Sequence, residues 1–419
     1  MERTKRDNLA AILLSILLSY LTYLIIQYQL TGILADYNGH AYVYLPMFTN
    51  GSLLEGWKAV PYCMWHVGVL VLHYILHIPY EVAVAYTSIV FSMLSFYVIY
   101  WMLLRYTAHV GKEMNSTKAA FITFGLSIVQ GLHFFWLDAG QRFLGSFSMN
   151  PLHNPTQMAV NPFALLCFCL VYDIWNKQKD ESYKGVFFNM GQGLKRPYIY
   201  LAVILLLSVL AKPTFAEMFI PAVAIIMLVE WIGKICKKDG SAAPYFKQCL
   251  NMLYCAIPAL IYILVSFLAY FVFGGSYGAD AEGGLIITKW MEVWSMFTEN
   301  IVLSMGLGLA FPLFVIMIDT RFFLQDNLGR LAVIGYLIGF LEAALLGEGG
   351  GKLGHADFIW PMMSGMLLLF VSSTLRLSVL ERTEADSKVK CVLIDIAWAI
   401  LCLHVLCGYF YIRESMGLL

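Results

Sequence analysis

Three polar clusters interrupt an otherwise apolar chain, and each contains the residue types of a reactive or anion-binding site. The first, LADYNGHAYVYLPMFTNG, covers residues 34 to 51 and places Asp36 just beyond the first long apolar run. A carboxylate at a bilayer rim can take a proton from an incoming hydroxyl, and Tyr37, Tyr42 and Tyr44 can anchor at the interface or stack on a sugar face. The plainer alternative is that Asp36 caps a short helix beginning near Asn38; His40 has no separable role. The second cluster, WLDAGQRFLGSFSMNPLHNPTQMAVNP, contains Asp138, Arg142, His153 and stiff Asn-Pro turns. Arg142 can donate a fork of hydrogen bonds to a phosphate, or pair with Asp138 four residues earlier on a helix. The third, LGEGGGKLGHADFIW, follows its glycines with Lys352, His355 and Asp357. Such a backbone can wrap an anion, although the Walker spacing is absent. Lys212, before Pro213 in a tight turn, either has an anionic partner or snorkels to the surface.

The elements that position these clusters follow from composition. With 419 residues, 60% hydrophobic, 13% charged and a mean hydropathy of +0.72, the chain is expected to be an all-α polytopic membrane protein. Its zero net charge gives no electrostatic case for nucleic acid. The basic opening MERTKRDN and the apolar run after it, which shows no small-residue cleavage site, are expected to form a retained anchor. Eleven runs are long enough to span: 9–30, 82–104, 119–136, 160–175, 198–211, 216–232, 249–273, 299–318, 330–346, 358–375 and 391–411. Residues 63–77 are expected to lie in the interface instead, with His66, His73 and His77 on one helical face. If this run also spanned, the basic loops would fall opposite the basic N-terminus.

Eleven spans place the N-terminus in the cytoplasm and the C-terminus outside. Of 27 Lys and Arg, only Lys58, Arg142, Lys212, Lys289, Lys352 and Arg413 then lie outside. The outer segments are 31–81, 137–159, the turn at Lys212, 274–298 and 347–357, all within a single transmembrane domain with no separate soluble domain. Segment 274–298 predicts a loose loop followed by an interfacial helix; Asp280 and Glu282 are too few acids for a divalent site. No metal set is legible elsewhere, and the nine cysteines lie mostly in apolar runs, without a C-x-x-C pair, as buried hydrophobes.

An N-in first helix, an acid opening a long outer loop, an interfacial helix written His-x6-His and a return span resemble the GT-C superfamily. These are integral membrane glycosyltransferases that use polyprenyl-phosphate-linked sugar donors. The segment YCMWHVGVLVLHYILHIPYEVAVAY resembles the family's interfacial helix and next span, with Pro79 and Glu81 where a glycine and an arginine are common. The resemblance covers residues 9 to about 110 in pattern and the remainder in topology only. It implies an inverting transfer at the outer leaflet of a plasma (inner) membrane, from lipid-linked donor to a glycan or lipid acceptor, with no confident cofactor. Asp36 stands where the family has its base, with Asp138 as rival. Arg142, Lys212, Lys352 and His355 would hold the phosphate, with His40 and His153 in the pocket.

Two other classes fit the same composition. A polymerase or ligase using diphosphate-linked oligosaccharide would need more outer arginines than Arg142. A transporter or flippase should show internal repeats and ionisable groups near the midplane, whereas the in-span acids Glu217 and Glu342 lie toward the outer ends.

Overall fold

The computed structural model describes residues 8–32, 36–133, 149–150, 152–191, 193–238, 240–269, 284–349, 353–380 and 388–418. Helix dominates because lipid offers no partner for backbone polar groups, which must therefore be satisfied within each segment. In chain order the main elements are α1 (Leu9–Gln29), α2 (Met64–Leu70), α3 (Tyr80–His109), α4 (Ser116–Ile128), α5 (Pro155–Lys179) and α6 (Lys195–Ala211). There follow α7 (Thr214–Lys237), α8 (Ala242–Phe267), β1 (Leu285–Ile287), α9 (Ile301–Gly308), α10 (Ala310–Ile318), α11 (Asn327–Leu345), β2 (Leu346–Glu348), α12 (Trp360–Val379) and α13 (Lys388–Ser415).

Among the described residues eight helices are long and apolar enough to cross a membrane, and α9 with α10 adds a ninth if that bent pair is one span. The chain is an all-α polytopic membrane protein. Each of the eleven expected runs contains a helix, but α4 and α6 are only 13 and 17 residues long. Residues 63–77 fold as α2 and a π-helical turn, Val71–Ile75, too short to span. The expected histidine face does not form. His66 turns into the core, His73 meets the Ile78 carbonyl at 2.8 Å, and His77 leaves the helix at φ 53°.

Helices α5 and α12 are almost entirely enclosed, whereas α1, α8 and α13 turn broad apolar faces outward, as lipid-facing helices do. The partnership of α11 and α12 depends on glycine. A Cβ added at Gly339 would lie 2.5 Å from the Met362 nitrogen, and one at Gly365 would lie 2.6 Å from the Tyr336 Cα. The two backbones therefore touch, a contact available only to small residues.

Polar groups are satisfied locally. Helix α4 stops at Ile128, and the Asn150 amide donates 2.8 Å hydrogen bonds to the Leu126 and Val129 carbonyls that the break exposes. Helices α9 and α10 meet at 62°. Toward the opposite ends, Arg330 binds Glu230 at 2.6 Å and Arg376 binds Asp319 at 2.6 Å. The fully buried Asp173 carboxylate accepts from the Tyr183 hydroxyl and from the backbone N–H groups of Val186, Phe187 and Phe188, at 2.6 to 2.9 Å. It thereby fixes the 180–190 loop.

Segment 274–298 departs from expectation. A two-stranded antiparallel ribbon forms, with Leu285 opposite Glu348 and Ile287 opposite Leu346, and the stretch expected as an interfacial helix holds a single four-residue helix, Glu292–Ser295. Asp280 and Glu282 lie outside the described residues.

Two stability predictions follow from this packing. Replacing Asp173 with Ala leaves three N–H groups without their acceptor and is expected to cost about 3 kcal/mol or more. Gly339→Leu forces α11 from α12 and is expected to cost about 1–3 kcal/mol. Thermal unfolding of the detergent-solubilised variants measures both, and unchanged midpoints would refute them.

Candidate functional site

The ends of several helices and the turns between them converge at one end of the bundle. Asp36 opens a short helix just after α1, and the Asn38 amide ties that helix back by a 2.9 Å bond to the Leu30 carbonyl. The Asp36 side chain is 40% exposed, accepts a 3.0 Å hydrogen bond from the Asn154 amide and lies 3.7 Å from His153 Nε2. Asn154 also caps α5, its Oδ1 accepting from the Gln157 N–H at 2.9 Å. On the far side of the ring, His153 Nδ1 lies 2.6 Å from the Tyr411 hydroxyl of α13, which also takes the His153 backbone N–H. The other ring nitrogen, Nε2, faces Asp36. Burial lowers the His153 pKa; Asp36 opposes the shift and Lys212 adds to it.

A second imidazole pair backs the site. His40 Nδ1 and His66 Nε2 are 3.1 Å apart, and both rings are buried. His66 Nδ1 has no hydrogen-bond partner. A buried lone pair without a donor costs less than a buried N–H without an acceptor, so His66 Nε2–H is the donor. Burial drives the His40 pKa well down and that of His66 to about 3, so both rings are neutral near pH 7.

Lys212 occupies the turn between α6 and α7, where Pro213 separates it from the next helix. It is 5% exposed, and its ammonium lies 4.0 Å from the centre of the Trp360 ring at the start of α12. Among the described residues no carbonyl or carboxylate reaches this ammonium at hydrogen-bond or close ion-pair distance. Burial lowers its pKa to about 8, while Asp357, Asp36 and Glu217 oppose the shift. Tyr44 faces the same carboxylates: burial, then Asp357, Glu348 and Asp36, keep its hydroxyl protonated.

Lys212, Glu217, Glu348 and Asp357 line an open cleft of about 820 Å³, walled by Tyr62, Tyr262 and Phe358. Burial raises the Asp357 pKa, while Lys212, His355 and the neighbouring Glu348 side chain oppose the shift and Asp36 adds to it. His355, 63% exposed at the rim, lies 3.9 Å from Glu348. Below the cleft, α6, α7 and α8 enclose an apolar groove of about 990 Å³, lined by Leu205, Phe219, Val223 and Ala256. Pro221 in α7 and Pro258 in α8 each remove a helical hydrogen bond along this groove. The chain matches no protein-family model and no curated relative.

Of the residues expected from sequence, Asp36, His40, His153, Lys212 and His355 gather here, while Asp138, Arg142 and Lys352 lie outside the described residues. Sequence reasoning missed Asn154, Tyr411, Trp360 and Glu348 as site residues. The Asn154-Pro155 dipeptide was visible as a turn, but its bond to Asp36 depends on how α1 and α5 pack. No group of three metal-ligating side chains occurs among the described residues.

The charged form of Lys212 is complete below its lowered pKa and lost above it. Binding of an anion that needs the ammonium is therefore expected to fall as pH rises through about 8, approaching tenfold per further pH unit. Lys212→Met should flatten the profile. Titration with undecaprenyl phosphate checks this, and a wild-type profile flat to pH 9.5 would contradict it.

Proposed function

We propose that this protein is an inverting membrane glycosyltransferase that moves a sugar from a polyprenyl-phosphate-linked donor to a glycan or lipid acceptor at the outer leaflet. The supporting observation is that the Asp36 carboxylate lies close enough to act on the Lys212 ammonium, which lines the cleft and has no hydrogen-bond acceptor among the described residues. Asp36 takes the acceptor hydroxyl proton, its carboxylate held by the Asn154 amide beside the His153 ring. Attack at the anomeric carbon displaces the lipid phosphate, whose charge Lys212 receives in a low-dielectric setting where such stabilisation is strongest. The apolar groove of α6, α7 and α8 leads away from Lys212 and suits a long hydrocarbon tail. In this reading the eleven runs all cross the membrane, with α4 and α9–α10 as broken spans, the N-terminus in the cytoplasm and the cleft outside.

Asp36→Asn keeps the shape of the site but removes the base. It is expected to lower transfer from an undecaprenyl-phosphate sugar about 100-fold or more, with an unchanged melting midpoint. Full activity in that variant would remove Asp36 from the role.

A second reading, a lipid or solute transporter, is favoured by the broken helices α4 and α9–α10, since discontinuous spans mark many transport sites. Substrate flux into proteoliposomes without covalent transfer would select it.

A further inference from the structure

A separate polar cavity of about 400 Å³ lies inside the bundle, between α3, α4, α5 and α12. Ser92 and Ser95 of α3, Ser127 of α4, Met158 and Asn161 of α5 and Leu367 of α12 are among the residues that line it. Asn161 is about two turns along α5 from Asn154, which holds Asp36. Among the described residues no charged side chain faces this space.

Two of its polar side chains have no partner. Ser92 is 7% exposed and Asn161 8%, yet among the described residues neither the hydroxyl nor the amide makes a hydrogen bond. Polar groups buried in an apolar bundle are normally paired, so both must be satisfied from the cavity they line.

Oxygen lone pairs dominate the lining. The Ser95 and Ser127 hydroxyls donate to the Phe91 and Thr123 carbonyls at 3.0 and 2.9 Å, which leaves their oxygens free to accept. Pro162 lacks the N–H that the Met158 carbonyl would receive in a regular helix. Helix α4 ends at Ile128, and among the described residues the Ser127 carbonyl in its last turn receives no hydrogen bond. The C-terminal end of a helix carries partial negative charge. An anion would therefore meet a repelling helix end and few free donors, whereas interrupted helices with open carbonyls hold cations in membrane proteins. With no carboxylate among the described lining residues, the site lacks the ligand charge that a divalent ion demands.

We infer that this cavity binds an alkali-metal cation, sodium or potassium, which draws its oxygen ligands from Ser92, Ser95, Ser127, Met158 and Asn161. The ion joins α3, α4 and α5 where α4 breaks off. Its binding is independent of Lys212 and of sugar transfer.

Thermal unfolding of the intact protein in nanodiscs, in sodium, potassium or choline chloride at equal ionic strength, tests this. Methyl groups screen the choline nitrogen from close oxygen ligands. The melting midpoint is expected to rise saturably with sodium, potassium or both relative to choline, because a ligand of the folded state stabilises it. The more effective ion identifies the occupant. Asn161→Leu and Ser92→Ala, measured separately so that one misfolded variant does not decide the matter, should each weaken the apparent affinity about tenfold or more. Asn161→Asp adds a carboxylate to the same ligand set and should tighten it, a gain that a purely structural amide would not give.

Equal midpoints in the three salts would leave only water in the cavity and overturn the proposal. An ion effect unchanged in all three variants would place the cation elsewhere and overturn it equally. Saturation of the wild-type protein by calcium at lower concentration than by either alkali ion would refute the monovalent assignment.

Discussion

Lys212 keeps its ammonium where water scarcely reaches it and where no acceptor among the described residues completes its hydrogen bonds. The two-residue turn between α6 and α7 leaves the stem little freedom to snorkel, and the Trp360 ring takes one side of the charge. Such a charge persists only with compensation, and the compensation organises one end of the bundle. Asp36 comes from the segment after α1, Glu217 from the first turn of α7, Glu348 from the ribbon and Asp357 from the turn before α12. Four separate stretches of chain are thus committed to one field. The histidines around it respond in the opposite sense: burial lowers their pKa, so that they line the region without adding charge.

The same region shows how a membrane protein tolerates interrupted helices. Asn150 closes the broken end of α4, and Asn154, four residues later, both caps α5 and orients Asp36. A single short stretch therefore repairs one helix, starts another and fixes the carboxylate. Without Asn150, the Leu126 and Val129 carbonyls would face an apolar interior, and the break in α4 would be too costly to keep.

Much of the fold was legible in the sequence because lipid imposes a length and a hydrophobicity on each span. Helices were found inside all eleven expected runs, and the short reach of residues 63–77 was anticipated from the charge of the flanking loops and the length of the run. What escaped was set by packing. The early end of α4 is invisible in a run that remains apolar to residue 136, since its cause is an asparagine more than twenty positions away. His66 and His73 share a spacing that suits one face, yet the π-helical turn shifts the register and the His40 ring draws His66 inward. The β1–β2 ribbon joins Leu285 to Glu348 across more than sixty residues, a pairing with no local signal. At the site, residue type and position beside a span identified Asp36, His153, Lys212 and His355. The partners Asn154, Tyr411 and Trp360 are legible only once the helices are assembled.

The glycine contact between α11 and α12 bears on how the cleft can move. Backbones in direct contact leave no flexible side chains between them to absorb sliding, so the two helices behave as one rigid plate. Glu348 ends the strand that continues α11, and Asp357 and Trp360 stand at the start of α12, so all three belong to that plate. The opposite jaw is α8, which carries Tyr262, turns most of its surface outward and is weakened at Pro258. The carboxylates and Trp360 therefore share one stiff wall of the cleft, and the proline-weakened helix α8 forms the more compliant one.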